Sequence, residues 1–313
     1  MRIAVLGVGR MGAPIARRLA DIAEVVAFDP DGSRLTALGP GIAVAATQDD
    51  ATAHADLIVA VLPGAREQRE FLLTALEAGT LAEPGALLLD LTSGHPDTAR
   101  ELQRTARRCG AGYVAAPMGG DPSAAASGKL DLLLGGAARD VERASGAIEA
   151  LTGNGGRARH ISEDAGAATL AKLLVNGLWF AQAVAVAEAV RTGEQAGLPA
   201  AVFRDVLRGS AADSAFVDRY LDRLLAGDEM VELGLDRVME ELDIVETLHR
   251  SAGIDDGVLS ASHDIHARVL AASGAAGGEL TTVQHVRAGR LPHCQPGRDA
   301  RETSSPPASA SPS

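Results

Sequence analysis

The feature that most constrains the fold of this chain is a glycine-rich turn close to its beginning. The apolar run Ile3–Leu6 leads directly into a Gly-x-Gly-x-x-Gly segment, and a helical pattern follows over Met11–Leu19. Glycine adopts backbone angles and permits close approaches that other residues disfavour, so this order is typical of a strand that turns sharply into a helix. The segment therefore predicts a strand–turn–helix unit. Its residues are Gly7, Val8, Gly9, Arg10, Met11 and Gly12.

The same alternation of short apolar runs and helical patterns continues to about residue 160. Continuous apolar runs that end in Gly, Asp or Pro suit strands buried on both faces of a parallel sheet. Amphipathic segments such as Thr98–Arg108 lie between them and suit crossover helices. We therefore predict an α/β fold with a doubly wound Rossmann sheet. The predicted strands after the first are Val25–Phe28, Leu57–Leu62, Leu87–Leu89, Tyr113–Ala116 and Leu130–Leu134.

The pattern changes after Ile161, where no further strand is predicted. One helical pattern runs from Asp164 to about Ala196, and four more helical segments follow it. Because 313 residues are too many for one ordinary core, we predict a Rossmann domain over 1–162 and an all-α domain over 163–290, joined through the long interdomain helix. The proline- and serine-rich residues 291–313 are predicted to be a disordered tail. The four helical segments are Pro199–Leu207, Asp213–Leu225, Leu233–Ser251 and Asp256–Ala272.

The strand–turn–helix unit is suited to binding a dinucleotide. Its three glycines permit the tight turn, the approach of a pyrophosphate and the close packing of helix on strand, and the helix N-terminus offers free N–H groups to phosphates. Asp29 ends the second strand at about the expected ~20 residues further on. Its carboxylate suits the ribose hydroxyls of NAD and would repel the extra phosphate of NADP. Arg34 lies close enough to pair with that phosphate, so NAD is favoured and NADP is not excluded.

Charge and composition disfavour several classes of partner. The net charge of −12 argues against nucleic-acid binding, which needs a positive surface. The most apolar stretch, Leu173–Val190, contains Asn176, Gln182 and Glu188, which predicts a buried helix rather than a membrane span. Two cysteines without ligand spacing and the absence of a signal-peptide pattern predict a cytoplasmic protein without a metal site. The histidines of the second half are predicted to lie at the surface; they are His249, His263, His266 and His285.

One lysine of the long helix is the candidate catalytic residue. Only two of the 29 basic residues are lysines, Lys129 and Lys172, so a lysine at any position is unusual in this chain. Lys172 and Asn176 are spaced i, i+4 and project from one face of an otherwise apolar helix. A buried ammonium needs a partner or a wet cleft. In a hydride-transfer site it can protonate a carbonyl oxygen or stabilise the alkoxide that develops there.

Five motifs in this order resemble those of the β-hydroxyacid dehydrogenases, a family that includes 3-hydroxyisobutyrate dehydrogenase and tartronate semialdehyde reductase. The resemblance covers the chain to about residue 290. The motifs are the glycine turn followed by Pro14; Leu62-Pro63; Asp90-Leu91-Thr92-Ser93 with Pro96; Ala116-Pro117-Met118-Gly119-Gly120; and Gly166-x5-Lys172-x3-Asn176.

The resemblance implies a role for each of these motifs. The pairs Leu62-Pro63 and Thr92-Ser93 are expected to flank the nicotinamide end of the cofactor. The backbone N–H groups of Gly119-Gly120 are expected to hold the carboxylate of a small, anionic substrate. Lys172 and Asn176 are expected to meet the reacting oxygen.

The chain departs from the family pattern around the substrate. Gly119-Gly120-Asp121 stands where many members have Ser-Gly-Gly, so a serine hydroxyl is missing. Glu240-Glu241 stands where the family usually has Lys-Asp, which places an anion where a cation is expected near the nicotinamide. Glu279 replaces the usual aspartate near the C-terminus. These differences leave the fold and the cofactor in place and bear on the substrate.

The sequence thus predicts a nicotinamide-dependent oxidoreductase that interconverts a small β-hydroxy acid, or related alcohol, and its carbonyl compound, with Lys172 as general acid or base. Two alternatives remain open: an imine reductase that acts on a C=N bond with the same architecture, and a non-catalytic dinucleotide-binding protein. The long apolar helix of the second half also predicts a homodimer, because a large exposed apolar surface needs a partner.

Overall fold

The computed structural model describes residues 1–231 and 233–292. From residue 293 onward, the predicted tail lies outside the described residues. The described part consists of a nine-stranded sheet with helices on both faces, followed by helices alone. The predicted fold class, a Rossmann sheet followed by a helical second half, is confirmed.

Strand order follows the doubly wound pattern. The order is β3-β2-β1-β4-β5-β6, and these six strands are all parallel. β8 runs antiparallel to β6 and pairs with β7 on the same edge and with β9 on its other side. The order reverses between β1 and β4, where a ligand crevice is expected at the carboxyl ends of the strands. The strands are β1 (Arg2–Leu6), β2 (Glu24–Phe28), β3 (Ile42–Val44), β4 (Leu57–Ala60), β5 (Leu87–Asp90), β6 (Gly112–Ala115), β7 (Met118–Gly119), β8 (Asp131–Gly135) and β9 (Arg157–Ser162).

Nine of the α-helices lie before residue 160, and one π-helical stretch, Gln68–Leu73, joins two of them. They are α1 (Gly12–Ala20), α2 (Gly32–Leu35), α3 (Gln48–Thr52), α4 (Ala65–Glu67), α5 (Thr74–Glu77), α6 (Pro96–Arg108), α7 (Pro122–Ser127), α8 (Ala138–Arg143) and α9 (Ser145–Thr152). The later helices are α10 (Ala165–Gln195), α11 (Ala200–Leu207), α12 (Ala215–Arg219), α13 (Leu221–Leu225), α14 (Leu235–Ser251), α15 (Val258–Ser273) and α16 (Thr281–Ala288).

The long helix α10 connects the two halves. Asp164 caps its start by accepting a hydrogen bond from the N–H of Gly166, 3.0 Å away. Along its length it packs first against α6 and β8 of the sheet half and then against α14, α15 and α16. Its length and a mean hydropathy of 1.6 are those of a helix able to cross a bilayer. A central helix that packs against neighbours in both halves needs the same apolar composition.

Three strands, and one of the helices after residue 160, were not predicted from the pattern. β3 and β7 have only three and two residues, and β9 is a polar edge strand of sequence Arg-Ala-Arg-His-Ile-Ser, so none of them forms an apolar run. The helix α16 is also short and mixed in character. The predicted helix Asp213–Leu225 is two helices, because the backbone at Tyr220 leaves the helical region with a φ of −122°.

The prediction that the histidines lie at the surface is wrong for His266. This side chain is fully buried in the helical half, where its ring contacts Phe180 edge-on. Its Nδ1 donates to the carbonyl of Ser262 at 2.8 Å, so one nitrogen is satisfied within α15. Burial lowers the pKa of His266 to about 4, which keeps the ring neutral at physiological pH.

Candidate active site

The glycine turn lies at the carboxyl end of β1, beside the end of β4. Gly7 has a φ of +88°, and a side chain there would collide with the carbonyl of Val61. A side chain at Gly12, the first residue of α1, would collide with the carbonyl of Gly7. At Gly9 the nearest atom, Arg34 Nη1, is 3.8 Å from where a Cβ would stand. The turn is therefore closed at two glycines and open at the third, beside the N-terminus of α1.

Asp29 is held beside this turn by backbone donors. Its carboxylate is buried and accepts hydrogen bonds from the N–H of Val8 (2.9 Å) and the N–H of Asp31 (2.9 Å). Arg34 Nη1 lies 3.5 Å from Asp29 Oδ2, and Arg34 Nε lies 3.3 Å from Asp31 Oδ2. The predicted ribose-binding carboxylate is thus in place, and the alternative cation stands directly next to it.

The segments after β4 and β5 meet at the same edge of the sheet. The N–H of Leu62 donates to Thr92 Oγ1 at 3.2 Å, which joins the two segments. Thr92 is buried, Ser93 is partly buried, and Pro63 is exposed. These four residues, predicted from the family resemblance to flank the nicotinamide, therefore lie together next to the glycine turn.

Gly119 and Gly120 lie on the far side of β6. Gly119 belongs to β7 and pairs with Asp131 of β8, while Gly120 has a φ of +124°. Asp121 then caps α7 by accepting from the N–H of Ala124 at 2.8 Å. The side chain of Asp121, which follows the two glycines where the family has a third residue of its motif, is thus engaged in starting a helix.

Asn176 of α10 meets Glu241 of α14, and Lys172, one turn earlier on α10, lies close enough for the Glu241 carboxylate to act on its charge. Asn176 Nδ2 donates to Glu241 Oε2 at 2.6 Å, and Glu241 is only 8% exposed. The Ser93 side chain also lies near the Glu241 carboxylate and acts to lower its pKa, which brings this cluster next to the segment after β5. The predicted pair is therefore brought to the predicted nicotinamide segment, with a buried carboxylate between them.

Burial and the neighbouring charges shift the pKa values of this cluster in opposite directions. Burial lowers the pKa of Lys172, while the nearby carboxylates of Glu241, Glu279 and Asp131 act to raise it. Burial raises the pKa of Glu241, against the ammonium of Lys172 and the hydrogen bonds from Asn176 and Ser93. A lysine whose pKa is lowered by burial releases its proton more readily than an exposed lysine, which suits it to proton transfer.

The anion that Glu240 places where the family usually has a cation is paired with an arginine one turn earlier. Arg237 Nη1 lies 2.9 Å from Glu240 Oε2, and Arg237 also pairs with Glu67 at 3.0 Å. Glu240 Oε1 accepts from the N–H of Arg66 at 3.1 Å. Glu240 therefore ties α14 to the segment after β4.

A second contact between the halves starts from the glycine turn. Arg10 Nη1 donates to the carbonyl of Val231 at 2.6 Å, across the side of the turn predicted to hold the cofactor. Met11 is partly buried and packs against the core beneath the sheet. Arg10 thus connects the glycine turn to the helical half.

The sequence pattern identified Lys172 and Asn176 but not their connection to Glu241. The two segments are 65 residues apart, and the glutamate sits in an amphipathic helix where one more acidic residue carries no signal. The resemblance alone drew attention to positions 240 and 241. Among the described residues, no group of His, Cys, Asp and Glu side chains is arranged to hold a metal ion.

Comparisons with known proteins agree with this geometry. Residues 2–158 match the family described as the NAD binding domain of 6-phosphogluconate dehydrogenase, and residues 166–286 match the NAD-binding family of NADP-dependent 3-hydroxyisobutyrate dehydrogenase. An NAD-dependent L-serine dehydrogenase of Pseudomonas aeruginosa is 31% identical over 223 residues, which cover 70% of this chain and 73% of the relative.

Solved structures extend the likeness to the whole fold. The Mycobacterium tuberculosis 3-hydroxyisobutyrate dehydrogenase with L-serine superposes with a TM-score of 0.80 at 26% identity, covering 91% of this chain and 99% of the other. A Streptomyces aurantiacus imine reductase shares the fold with a TM-score of 0.59 at 24% identity, covering 90% of this chain and 98% of the other.

The residues present fit a nicotinamide dinucleotide. An open glycine stands beside a helix N-terminus, and a buried carboxylate stands at the end of β2. The fold and this site define an NAD(P)-dependent oxidoreductase. Within that class, the chain belongs to the β-hydroxyacid dehydrogenase family.

Proposed function

We propose that this enzyme interconverts a small β-hydroxy acid and its carbonyl compound, with Lys172 as the general acid or base. The observation that carries the proposal is the cluster of the partly buried Lys172 and Asn176 with the buried Glu241, beside Ser93. It places one proton-carrying ammonium, one orienting amide and one compensating carboxylate at the end of the predicted cofactor site.

When bound, the dinucleotide supplies a hydride to the substrate carbon in reduction and accepts it in oxidation. The chain's own part is to move the proton. In reduction, the Lys172 ammonium donates its proton to the carbonyl oxygen, which becomes the hydroxyl, and Lys172 is left as a neutral amine. In oxidation, the neutral amine takes the hydroxyl proton. The Glu241 carboxylate favours the charged form of Lys172 in both directions of the reaction. Glu241 also accepts a hydrogen bond from Asn176 Nδ2, on the same face of α10 as Lys172.

The proposed substrate is a small hydroxy acid whose carboxylate accepts hydrogen bonds from the backbone of Gly119-Gly120. Loss of the serine hydroxyl at position 119 leaves these backbone donors intact. L-Serine and 3-hydroxyisobutyrate are the first compounds to test, because relatives of this chain carry them in their names. We propose NAD as the preferred cofactor, on the buried carboxylate of Asp29.

The test is a screen of small hydroxy acids with NAD and NADP, followed by nicotinamide absorbance. Replacing Lys172 with Ala should lower kcat by about 10²–10⁴, the usual contribution of a positioned acid or base. Lys172→Arg should not restore it, because a guanidinium does not release its proton near neutral pH. Lys129→Ala, at the exposed second lysine, is the control and should leave kcat unchanged. Normal turnover by Lys172→Ala would refute the proposal.

Two other outcomes of the same screen would redirect it. Turnover of cyclic imines but not of hydroxy acids would assign the enzyme to C=N reduction, which the shared fold permits. Tight NADH binding without turnover of any compound would assign a non-catalytic, dinucleotide-binding role.

We also propose that the enzyme is a homodimer that buries one face of α10. Val175 and Leu178 are 56% and 53% exposed, and the exposed positions continue at alternating spacings of three and four. Such a heptad stripe is typical of a helix that packs against another helix. Light scattering should show a dimer, and Leu178→Glu should convert it to a monomer. The exposed positions that continue the stripe are Gln182, Ala185 and Ala189.

A further inference from the structure

A buried polar network lies behind the segments predicted to flank the nicotinamide. Its centre is Asp90, the last residue of β5, whose carboxylate is 1% exposed. Asp90 Oδ2 accepts from Gln68 Nε2 at 2.7 Å and from the Tyr113 hydroxyl at 2.9 Å, and Asp90 Oδ1 accepts from the N–H of Thr92 at 3.0 Å. We call Gln68, Asp90, Thr92 and Tyr113 the Asp90 network.

The fold explains how these side chains meet. Tyr113 of β6 stands opposite Leu88 of β5, and Leu88 and Asp90 point to the same face of the sheet. The tyrosine hydroxyl therefore reaches Asp90 along that face. Gln68 approaches from the start of the π-helical stretch, a departure from α-helical geometry that often marks functional sites. A side chain on Gly94 would collide with Gln68, so the segment after β5 packs directly on the network.

Thr92 connects the Asp90 network to the two segments that flank the predicted nicotinamide site. Its N–H donates to Asp90 at 3.0 Å, and its hydroxyl accepts from the N–H of Leu62 at 3.2 Å. The next residue, Ser93, lies near the Glu241 carboxylate and acts to lower its pKa. Hydrogen bonds thus connect the buried Asp90 to both segments that flank the predicted nicotinamide site, and one of these segments lies beside the Lys172 cluster.

Burying a carboxylate of this kind is costly unless its oxygens are satisfied, and an apolar residue would serve the packing of the sheet without that cost. Burial raises the pKa of Asp90, and the donors from Gln68, Thr92 and Tyr113 act against that rise. Two of the three donors lie outside the strands: Thr92 belongs to the segment after β5, and Gln68 belongs to the stretch of chain that follows β4. Positioning of those segments is therefore the effect that the network can exert.

We propose that the Asp90 network positions Leu62 and Ser93 for binding the nicotinamide end of the cofactor. Asp90 and Tyr113 are positioning residues in this proposal, since they act through the two segments, and Thr92 belongs to one of these segments and holds the other through Leu62. The inference rests on the proposed cofactor site but not on the identity of the substrate.

Affinity for two ligands separates positioning from simple stability. The affinity for NADH, titrated by fluorescence, reports binding of the whole cofactor. The affinity for ADP-ribose, titrated by calorimetry, reports binding of the same ligand without its nicotinamide. Thr92→Val removes the hydroxyl at nearly constant shape and leaves the N–H of Leu62 without its acceptor, so it should weaken NADH binding about tenfold. ADP-ribose affinity should stay near wild type. Thr92→Ser keeps the hydroxyl and should restore NADH binding.

Thr152→Val is the matched control. Thr152 is also a buried threonine, 5% exposed, but its hydroxyl donates to the carbonyl of Ile148 in α9. This variant should lower the melting temperature about as much as Thr92→Val and leave both affinities unchanged. Tyr113→Phe, which removes one donor to Asp90 and keeps the ring, should weaken NADH binding about threefold and serves if Thr92→Val does not fold.

Two results would overturn the proposal. One is wild-type NADH affinity in both Thr92→Val and Tyr113→Phe. The other is an equal loss of affinity for NADH and ADP-ribose, which would mean a general disturbance of the sheet edge. Neither result depends on turnover, so a failed substrate screen would leave this inference standing, and its own failure would leave the role of Lys172 standing.

Discussion

The proposed cofactor side and the proposed substrate side of the site are built by different means. At the cofactor side, the buried carboxylate of Asp29 is held by the backbone N–H groups of Val8 and Asp31, which lie just after β1 and β2. At the substrate side, the buried Glu241 accepts a hydrogen bond from the side chain of Asn176 and lies near that of Ser93, and these come from a remote helix and a remote loop. One side depends on backbone geometry and the other on compensating charges.

This difference determines what each side tolerates. Groups held by backbone donors keep their position and their charge when neighbouring side chains change. The pKa of Lys172 instead depends on the charge of Glu241, and the pKa of Glu241 depends on the charge of Lys172. We therefore expect changes on the cofactor side to alter affinity, and changes on the substrate side to alter the pH dependence of the rate.

The largest expected effect on the cofactor side is selection between NADH and NADPH. A 2′-phosphate placed about 4 Å from the Asp29 carboxylate would be repelled by about 1–4 kcal/mol, so NADH should bind about five- to several-hundred-fold more tightly. Fluorescence titration of both reduced cofactors measures the ratio. Arg34→Gln should widen it, because the cation beside Asp29 is then lost.

The exposed Arg139→Gln removes the same charge from the surface and should leave the NADH/NADPH ratio unchanged. NADPH binding as tight as NADH binding would show that Arg34 rather than Asp29 decides the preference. It would also contradict the difference described between the two sides, since a charged side chain rather than backbone geometry would then control cofactor binding.

A smaller effect separates two glycines of the turn. Gly12→Ala places a Cβ against the carbonyl of Gly7 and should lower the free energy of unfolding by about 1–3 kcal/mol. Gly9→Ala meets no protein atom closer than 3.8 Å, so the fold should keep its stability while NADH affinity falls about tenfold, because the Cβ stands where the pyrophosphate approaches.

Thermal unfolding and NADH titration of both variants check this. Gly146→Ala, in open space on α9, is the control for a Gly-to-Ala change in a helix. Equal loss of stability in Gly9→Ala and Gly12→Ala would mean that the open side of the turn is occupied by protein.

The same division explains how much the sequence predicts. The turn, the sheet and Asp29 follow from local patterns, because a short stretch of chain contains all the contacts that define them. Lys172 and Asn176 stand out because helical spacing puts them on one face. Their meeting with Glu241, and the neutralisation of Glu240 by Arg237, require the packing of α14 on α10 and on the segment after β4. No local pattern contains that information.

The Asp90 network shows the same limit from inside the sheet. Asp90 and Thr92 lie in one motif, but Gln68 and Tyr113 come from segments 22 and 23 residues away from Asp90. The π-helical stretch that delivers Gln68 has no signature that distinguishes it from an α-helix. Short or polar strands such as β9 are not predicted from the sequence for a related reason. The pairing of β9 with β8 depends on the neighbouring strand rather than on the residues of β9 itself.

The smallest expected effect tests whether the charges of the substrate side depend on one another. Burial lowers the pKa of Lys172 and the Glu241 carboxylate raises it, so Glu241→Gln should lower that pKa further. In reduction the charged lysine is the active form, and the rate should begin to fall at a lower pH than in the wild type. In oxidation the neutral amine is the active form, and the rate should rise at a lower pH. The two profiles thus move in the same direction, whereas a loss of stability would depress both rates without moving either.

Glu246→Gln is the control, at an equally buried glutamate of the same helix that pairs with Arg250 at 2.9 Å. This variant should leave both profiles in place. Unmoved profiles in Glu241→Gln would show that Glu241 does not set the pKa of Lys172, and the proposed dependence of these two charges on each other would be refuted.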